Sequence, residues 1–188
     1  MGSPFSRREF LRRSGSVVGG AAFGAAIPAS GLQARPGTPV RTLAELLAEN
    51  RSRYPFSSRS THLPMSLLAL SNMGAPPARL EDFAEKGLRG LDAFPTGGDP
   101  VEPGSWERSL GKREAVPAFV RLFASEIRAR GSEPVLRRTL PVLLPGVGSF
   151  AFHALIRTAY AVRFREEEDL PHALGCWAAT FGTLGPIV

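Results

Sequence analysis

The stretch that decides the fold is GVGSFAFHALIRTAYAVRF, residues 146–164 of a chain of 188 residues. Most of it is apolar or small, and its length allows about four or five helical turns. His153, Arg157 and Tyr160 occur in it at positions i, i+4 and i+7, which share one helical face because a helix turns every 3.6 residues. We therefore expect an apolar helix whose three polar side chains lie along one stripe.

The segments on either side of this stretch also carry helix signals. Thr42 can cap a helix, Pro64 suits a first turn, and Gly74 suits the position just past a helix end. Pro141 and Pro145 should kink or end the helix that contains them. No alternating strand pattern or hairpin turn is present. The pattern predicts an all-α multi-helix bundle with an internal cavity toward which the polar stripe points, and its helices fall in residues 42–50, 62–74, 76–91, 112–131, 132–148, 146–164 and 167–182.

Composition and charge exclude several classes of protein. The chain is 43% hydrophobic with a net charge of +6, but beyond residue 34 it carries 19 basic and 16 acidic residues. These charges are interleaved, so no nucleic acid is expected as a partner. Cys176 is the single cysteine, which excludes an internal disulfide and a site with two cysteine ligands.

The N-terminus has the pattern of an export signal. SRREFLRR, residues 6–13, is followed by a soft apolar stretch that is rich in alanine and glycine. Arg7 and Arg8 are typical of a twin-arginine signal, so we predict a signal peptide over residues 1–34 and a helical domain over 35–188. Cleavage is expected between Ala29 and Arg35, with an uncleaved anchor as the alternative. The expected partner is the twin-arginine translocation machinery, and the expected location is periplasmic or extracellular.

The nucleotide and hydrolase motifs are missing from the sequence. There is no G-x-G-x-x-G after a strand, no phosphate-binding loop, no H-E-x-x-H and no G-x-S-x-G. An oxidoreductase with this sequence would therefore not be built around an ordinary flavin or nicotinamide fold.

Two long stretches resemble one family. THLPMSLLALSNMGAPPARLEDF (residues 61–83) and WERSLGKREAVPAFVRLFASEIRARGSEPVLRRTLPVLLPGVGSFAFHALIRTAYAVRF (residues 106–164) resemble successive blocks of the questin oxidase family. The resemblance extends from about Leu43 to Gly182. This sequence departs from the family pattern in three ways. Family chains are longer, an asparagine often stands where this sequence has Thr61, and some members have a second histidine where this sequence has Arg157. The chain therefore looks like the N-terminal part of a longer family domain.

This resemblance implies an activity. It points to a monooxygenase or dioxygenase that inserts oxygen beside a ketone, of the Baeyer–Villiger type, or opens the ring of a polycyclic aromatic ketone. A small aromatic substrate, a non-haem iron held largely by histidines, and NADPH as a candidate electron donor follow from the same resemblance. A non-catalytic helical binding module, or an inactive fragment of such an oxidase, is the alternative from another class.

Three histidines are the candidate metal ligands, in a definite order. His153, on the polar stripe, is the first choice, and a buried histidine bonded to a backbone carbonyl is its alternative. His62 is the second choice, and it could instead be a simple helix-entry residue. His172 is the weakest, because a solvated helix start explains it better.

Arg157 and Tyr160 are the candidate catalytic residues. Arg157 could bind an anionic group of the substrate or cofactor, or it could pair with an acid such as Glu81 or Glu114. Tyr160 could donate a hydrogen bond to a developing oxyanion, although a packed core tyrosine is the simpler expectation. The acidic run 166–169 is predicted to be a solvated turn and not a metal site.

Overall fold

The computed structural model describes residues 40–54 and 62–183. The predicted signal peptide and its cleavage site lie outside the described residues. No helix in the described ranges combines the length and the hydropathy needed to cross a bilayer.

The described residues form seven α-helices and no strand, which confirms the all-α prediction. They are α1 (Leu43–Arg51), α2 (Leu63–Asn72), α3 (Pro77–Leu88), α4 (Val116–Arg130), α5 (Ser132–Leu143), α6 (His153–Phe164) and α7 (Leu170–Ala179). The only extended pairing in these residues is an isolated antiparallel bridge between Arg53 and Ala93.

Several helix ends lie where the local sequence predicts them. The Thr42 hydroxyl accepts from the Glu45 amide at 3.3 Å, and the Glu45 carboxylate accepts from the Thr42 amide at 2.6 Å. This reciprocal pair is a capping box, which satisfies two amides that a helix start would leave unpaired. Pro64 lies in the first turn of α2, and Gly74 follows its end with φ 82°. A positive φ is costly for other residues, so glycine suits this position.

The larger of two apolar cores forms around α4 and α7. Its aromatic centre joins Trp106 to Phe119 and Phe123, with Trp177 of α7 fully buried in the same cluster. The two helices approach closely because Gly175 of α7 lies against α4. These contacts make the α4–α7 pair the centre of the fold.

Replacing Gly175 tests this close approach. A Cβ there would lie 2.7 Å from Val120 Cγ2 and 3.1 Å from the Val120 backbone nitrogen. We expect Gly175→Ala to lower the free energy of unfolding by about 1–3 kcal/mol, because overpacking outweighs the better helix propensity of alanine. Urea denaturation measures this change. Gly104→Ala is the control, since nothing lies within 4 Å of a Cβ there; equal stability of the two variants would contradict the prediction.

The smaller core joins α1, α2 and α3. Its buried members are leucines and one alanine, and Tyr160 and Phe164 of α6 pack against it. On its other side α6 contributes Ala154 and Ala161 to the larger core. Helix α6 therefore contacts both cores.

Residues 146–164 do not form one continuous helix, so the sequence prediction is wrong here. Leu144–Gly146 is a short 3-10 segment, residues 149–152 contain left-handed backbone, and α6 begins only at His153. Gly146 packs so closely on Phe181 that a Cβ would lie 2.5 Å from its ring. The glycines in this segment also weaken helix propensity. The approach to α6 is thus fixed by contacts with the residues that follow α7 and not by helical periodicity.

The residues just before α6 have an unusual backbone. Phe150, Ala151 and Phe152 have φ values of 51°, 50° and 63°, all in the left-handed region. A non-glycine residue there costs about 1–2 kcal/mol, so three in succession must be held by their surroundings. Left-handed backbone at a candidate ligand is a feature that the sequence did not predict.

Two prolines near the C-terminal end of α5 differ in their effect on the helix. Pro141 lies inside the helix, which continues to Leu143. Pro145 lies in the 3-10 segment that follows. The helix ends after Pro141 and before Pro145. The predicted helix end is therefore confirmed near Pro145 and not at Pro141.

Candidate functional site

Two of the candidate ligands, His62 and His153, lie side by side. His62 lies immediately before α2, and His153 is the first residue of α6. Their ring centroids are 4.1 Å apart, and the ring planes meet at 63°. Two segments distant in sequence therefore bring two imidazoles together, with His62 exposed and His153 partly buried.

The local environment of His62 favours a neutral ring. Burial of part of the imidazole lowers the pKa of His62, and the neighbouring His153 lowers this pKa further. A neutral imidazole is the form that binds a metal, because the ligating nitrogen must carry a lone pair. The electrostatics are thus compatible with the predicted role of His62 as a ligand.

His153 is oriented by the backbone that precedes it. Its Nδ1 lies 2.7 Å from the carbonyl oxygen of Phe150 and 3.0 Å from that of Ala151. The Phe150 ring also meets the imidazole edge to face, with centroids 5.3 Å apart. These contacts fix the ring at the first turn of α6.

The histidine pair fits part of a metal site. Two imidazoles bound to one ion at the usual metal–nitrogen distance hold their centroids roughly 4.5–5.5 Å apart, so the observed pair would have to open slightly. No group of three His, Cys, Asp or Glu residues that could hold a metal occurs within residues 40–54 and 62–183. Outside these ranges the sequence offers one such residue, Glu9. The chain therefore supplies two nitrogen donors, and further ligands would have to come from elsewhere.

Arg157 pairs with Asp169, and not with Glu81 or Glu114. Its Nε donates to Asp169 Oδ2 at 3.0 Å, and its Nη2 donates to Oδ1 at 2.5 Å. The side chains are only 4% and 1% exposed. Glu81 instead accepts from Arg41 at 2.8 Å. Of the two predicted roles of Arg157, the contacts match structural pairing, while anion binding would require Asp169 to be displaced.

The charge states of this pair follow from its burial. Burial alone would favour the neutral forms, but each partner stabilises the charge of the other. Asp169 raises the pKa of Arg157, and Arg157 lowers the pKa of Asp169. The pair therefore stays ionised, and it connects α6 to the start of α7.

Two further titratable groups border the ion pair. Cys176 Sγ lies 4.0 Å from Arg157 Nη1, and burial raises the pKa of this thiol to about 11. His172 packs on Phe94 with centroids 5.1 Å apart, and burial followed by the charge of Arg157 lowers its pKa to about 4. At neutral pH both groups are uncharged, so neither is an activated nucleophile or a cation.

Two predictions about the last helix need correction. His172 is not a solvated helix-start residue, because it is partly buried beneath Phe94. The acidic run is solvated at Glu167 and Glu168, but Asp169 is buried. The chain turns back after α6 through Arg165, whose φ is 57°, and this turn carries Asp169 inward.

Tyr160 makes contacts that differ from those of the histidines and of the ion pair. It stacks on Phe164 with centroids 5.7 Å apart and packs against the smaller core. The three residues of the stripe thus have three different surroundings.

A surface cleft of about 330 Å³ lies beside the C-terminal end of α6. None of the stripe residues lines this cleft, so the predicted internal cavity stays a prediction.

Together these features define an all-α protein with a histidine pair at the start of α6, a helix that contacts both cores. Residues 60–183 match the family model described as questin oxidase-like, which covers more than half of the chain. The chain belongs to this family, and membership suggests an oxidoreductase. No match was found among curated proteins or among solved structures.

Proposed function

We propose that the chain is an oxidoreductase of the questin oxidase type that uses the histidine pair to hold a non-haem iron. The observation that carries the proposal is the 4.1 Å separation of the His62 and His153 rings, together with the family match over residues 60–183. Imidazole is a common iron ligand in proteins, and the lowered pKa of His62 keeps a lone pair available at neutral pH.

The proposed reaction is oxygen insertion beside the carbonyl of an aromatic or polycyclic ketone, or oxidative opening of its ring. The iron would supply the activation of dioxygen. If one oxygen atom enters the substrate and the other leaves as water, two electrons are required, and NADPH is the candidate donor. The remaining iron ligands would be solvent, substrate or groups beyond the described residues.

The residues of the stripe have distinct proposed roles. His62 and His153 bind the metal, and Tyr160 is the candidate donor to a developing oxyanion. Arg157 would act on the substrate only if Asp169 released it, so its main proposed role is to hold α6 in place. Export of the folded, metal-loaded protein by the twin-arginine pathway to the periplasm is part of the same proposal.

Iron content tests the proposed site. The chain is reconstituted with ferrous iron under anaerobic conditions and desalted, and the bound iron per chain is measured. We expect near-stoichiometric iron in the wild type and much less in His62→Ala and His153→Ala. Removing a partner behind a ligand already costs about 10–100-fold in affinity, so removing a ligand should cost at least as much.

The third histidine provides the matched control. His172→Gln removes an imidazole outside the proposed site, so its iron content should equal that of the wild type. Circular dichroism verifies that all variants fold. If the wild type retains no iron, or if all three histidine variants lose it equally, the proposed metal site is wrong.

A non-catalytic binding module is the second candidate. Two observations favour it: the described residues offer two metal donors and no third, and the charge of Arg157 is neutralised by Asp169. On this alternative the protein binds a polycyclic aromatic ketone without iron and without consuming oxygen. Ligand binding by calorimetry in the metal-free protein, combined with the absence of retained iron, would favour it.

A further inference from the structure

The segment between α5 and α6 contains one complete left-handed turn built from ordinary residues. Phe150, Ala151 and Phe152 have φ/ψ values of 51°/42°, 50°/47° and 63°/3°. L-amino acids avoid this conformation, and it tends to occur where a protein needs a particular local geometry. The turn lies immediately before His153.

Contacts on its N-terminal side hold this turn. Ser149 Oγ donates to the Gly182 carbonyl at 2.9 Å and accepts from the Gly182 amide at 2.8 Å. Gly146 is packed against the Phe181 ring. Both contacts attach the N-terminal side of the turn to the residues that follow α7, while α6 continues from its C-terminal side. The conformation is therefore imposed by its neighbours.

The geometric consequence falls on His153. The turn directs the Phe150 and Ala151 carbonyl oxygens toward His153 Nδ1, at 2.7 and 3.0 Å. A carbonyl oxygen can only accept a hydrogen bond, so Nδ1 must carry the proton. In a neutral imidazole the other nitrogen, Nε2, then holds the lone pair.

We propose that the left-handed turn is a positioning device that fixes the proton of His153 on Nδ1 and makes Nε2 its metal-binding nitrogen. Metal-binding histidines commonly donate their second N–H to a backbone carbonyl, which sets the tautomer and the ring orientation. The metal-binding part of this inference rests on the proposed function. The tautomer itself does not, because it is a property of the metal-free protein.

Nitrogen NMR of the metal-free protein tests the tautomer directly. The imidazole nitrogens of ¹⁵N-labelled protein are recorded at about pH 8, where histidines are normally neutral. The chain has three histidines, and the spectrum of His153→Ala identifies the signals of His153. We expect a protonated Nδ1 and an unprotonated Nε2. A protonated Nε2 in the wild type would overturn the inference.

Two substitutions at Ala151 test the role of the turn. Ala151 is exposed, so changes there act mainly through the backbone. Ala151→Gly tolerates the left-handed conformation, whereas the β-branched Ala151→Val disfavours it. We expect the glycine variant to keep the wild-type His153 signals and the valine variant to lose the Nδ1-protonated form. A folded valine variant with unchanged signals would show that the turn does not set the tautomer.

Iron affinity separates this inference from the proposed function. If iron binds, Ala151→Val should weaken binding by about 10–100-fold while Ala151→Gly leaves it unchanged. If no iron binds but Nδ1 is protonated, the proposed metal site fails and the positioning of His153 stands. If iron binds and Nε2 is protonated in the metal-free wild type, the proposed metal site stands and the positioning of His153 fails. The wild-type spectrum alone can overturn the inference, even if the valine variant does not fold.

Discussion

Asp169→Ala should lower the free energy of unfolding by about 3–5 kcal/mol, because it leaves a buried guanidinium without its counter-charge. Arg157 is 4% exposed, and both of its hydrogen bonds to a carboxylate go to Asp169. Burying an unpaired charge is among the costliest single changes a core can suffer. Urea denaturation at neutral pH, with the folded state verified by circular dichroism, measures the loss.

Two further variants test whether the loss of stability comes from the unpaired charge of Arg157. Glu168→Ala removes an exposed acid from the preceding position, so its stability should stay within about 0.5 kcal/mol of the wild type. Combining Arg157→Met with Asp169→Ala removes both charges and should recover most of the loss, because an apolar replacement of a buried pair is often neutral. A loss below about 1 kcal/mol for Asp169→Ala alone would mean that Arg157 finds water or another partner.

This ion pair also marks the limit of what a local sequence pattern specifies. Helical periodicity predicts that His153, Arg157 and Tyr160 share one helix, and all three lie on α6. The partner of Arg157 could not be found this way, because Asp169 reaches it through a left-handed residue, Arg165, that reverses the chain. Four consecutive acids, residues 166–169, look equivalent in the sequence. Only the tertiary fold selects one of them for burial.

Local signals carried most of the helix assignment. The capping box at Thr42 and the glycine after α2 depend on residues within about one turn, so the sequence specifies them directly. The contact between His62 and His153 is of another kind. Helical periodicity singles out His153, and the family resemblance suggests a ligand role for both residues, but no local pattern places them side by side; their proximity depends on how α2 and α6 pack.

The left-handed turn before α6 was beyond prediction for a physical reason. Propensity rules reserve positive φ for glycine and, less often, asparagine or aspartate. Phe150, Ala151 and Phe152 carry no such signal, so the apolar run reads as more helix. Its conformation comes from the long-range bonds between Ser149 and Gly182. Departures of this kind tend to occur at functional sites, where local preference gives way to geometry.

His172 should make the protein less stable as the pH falls from about 6.5 to about 4. Burial, followed by the charge of Arg157, lowers its pKa from 6.5 to about 4, against the opposing effect of Asp169. Arg51 adds a smaller effect in the same direction as Arg157. The folded state therefore resists protonation that the unfolded chain accepts freely.

The sign of the effect follows from proton linkage. Above about pH 6.5 neither state binds the proton at His172, and the full stability is present. Between about 6.5 and about 4 the unfolded chain binds more protons, so the free energy of unfolding decreases. Below about pH 4 both states bind the proton at His172, so its contribution to the free energy of unfolding no longer changes with pH. A difference of roughly 2.5 pKa units corresponds to about 3 kcal/mol.

A non-titrating variant isolates this contribution. The free energy of unfolding is measured by urea denaturation at about pH 7.5 and about pH 4.5 for the wild type and for His172→Gln. The carboxylates and His62 titrate in both proteins, so their effects cancel in the comparison. The pKa of Asp169 is lowered from its usual value of 3.8. The stability that this carboxylate contributes is therefore lost below that pH, outside the measured interval. We expect the wild type to lose about 2–3 kcal/mol more than the variant. Equal losses would mean that His172 is solvated enough to take up a proton in the folded state, and that its contact with Phe94 does not keep the imidazole neutral.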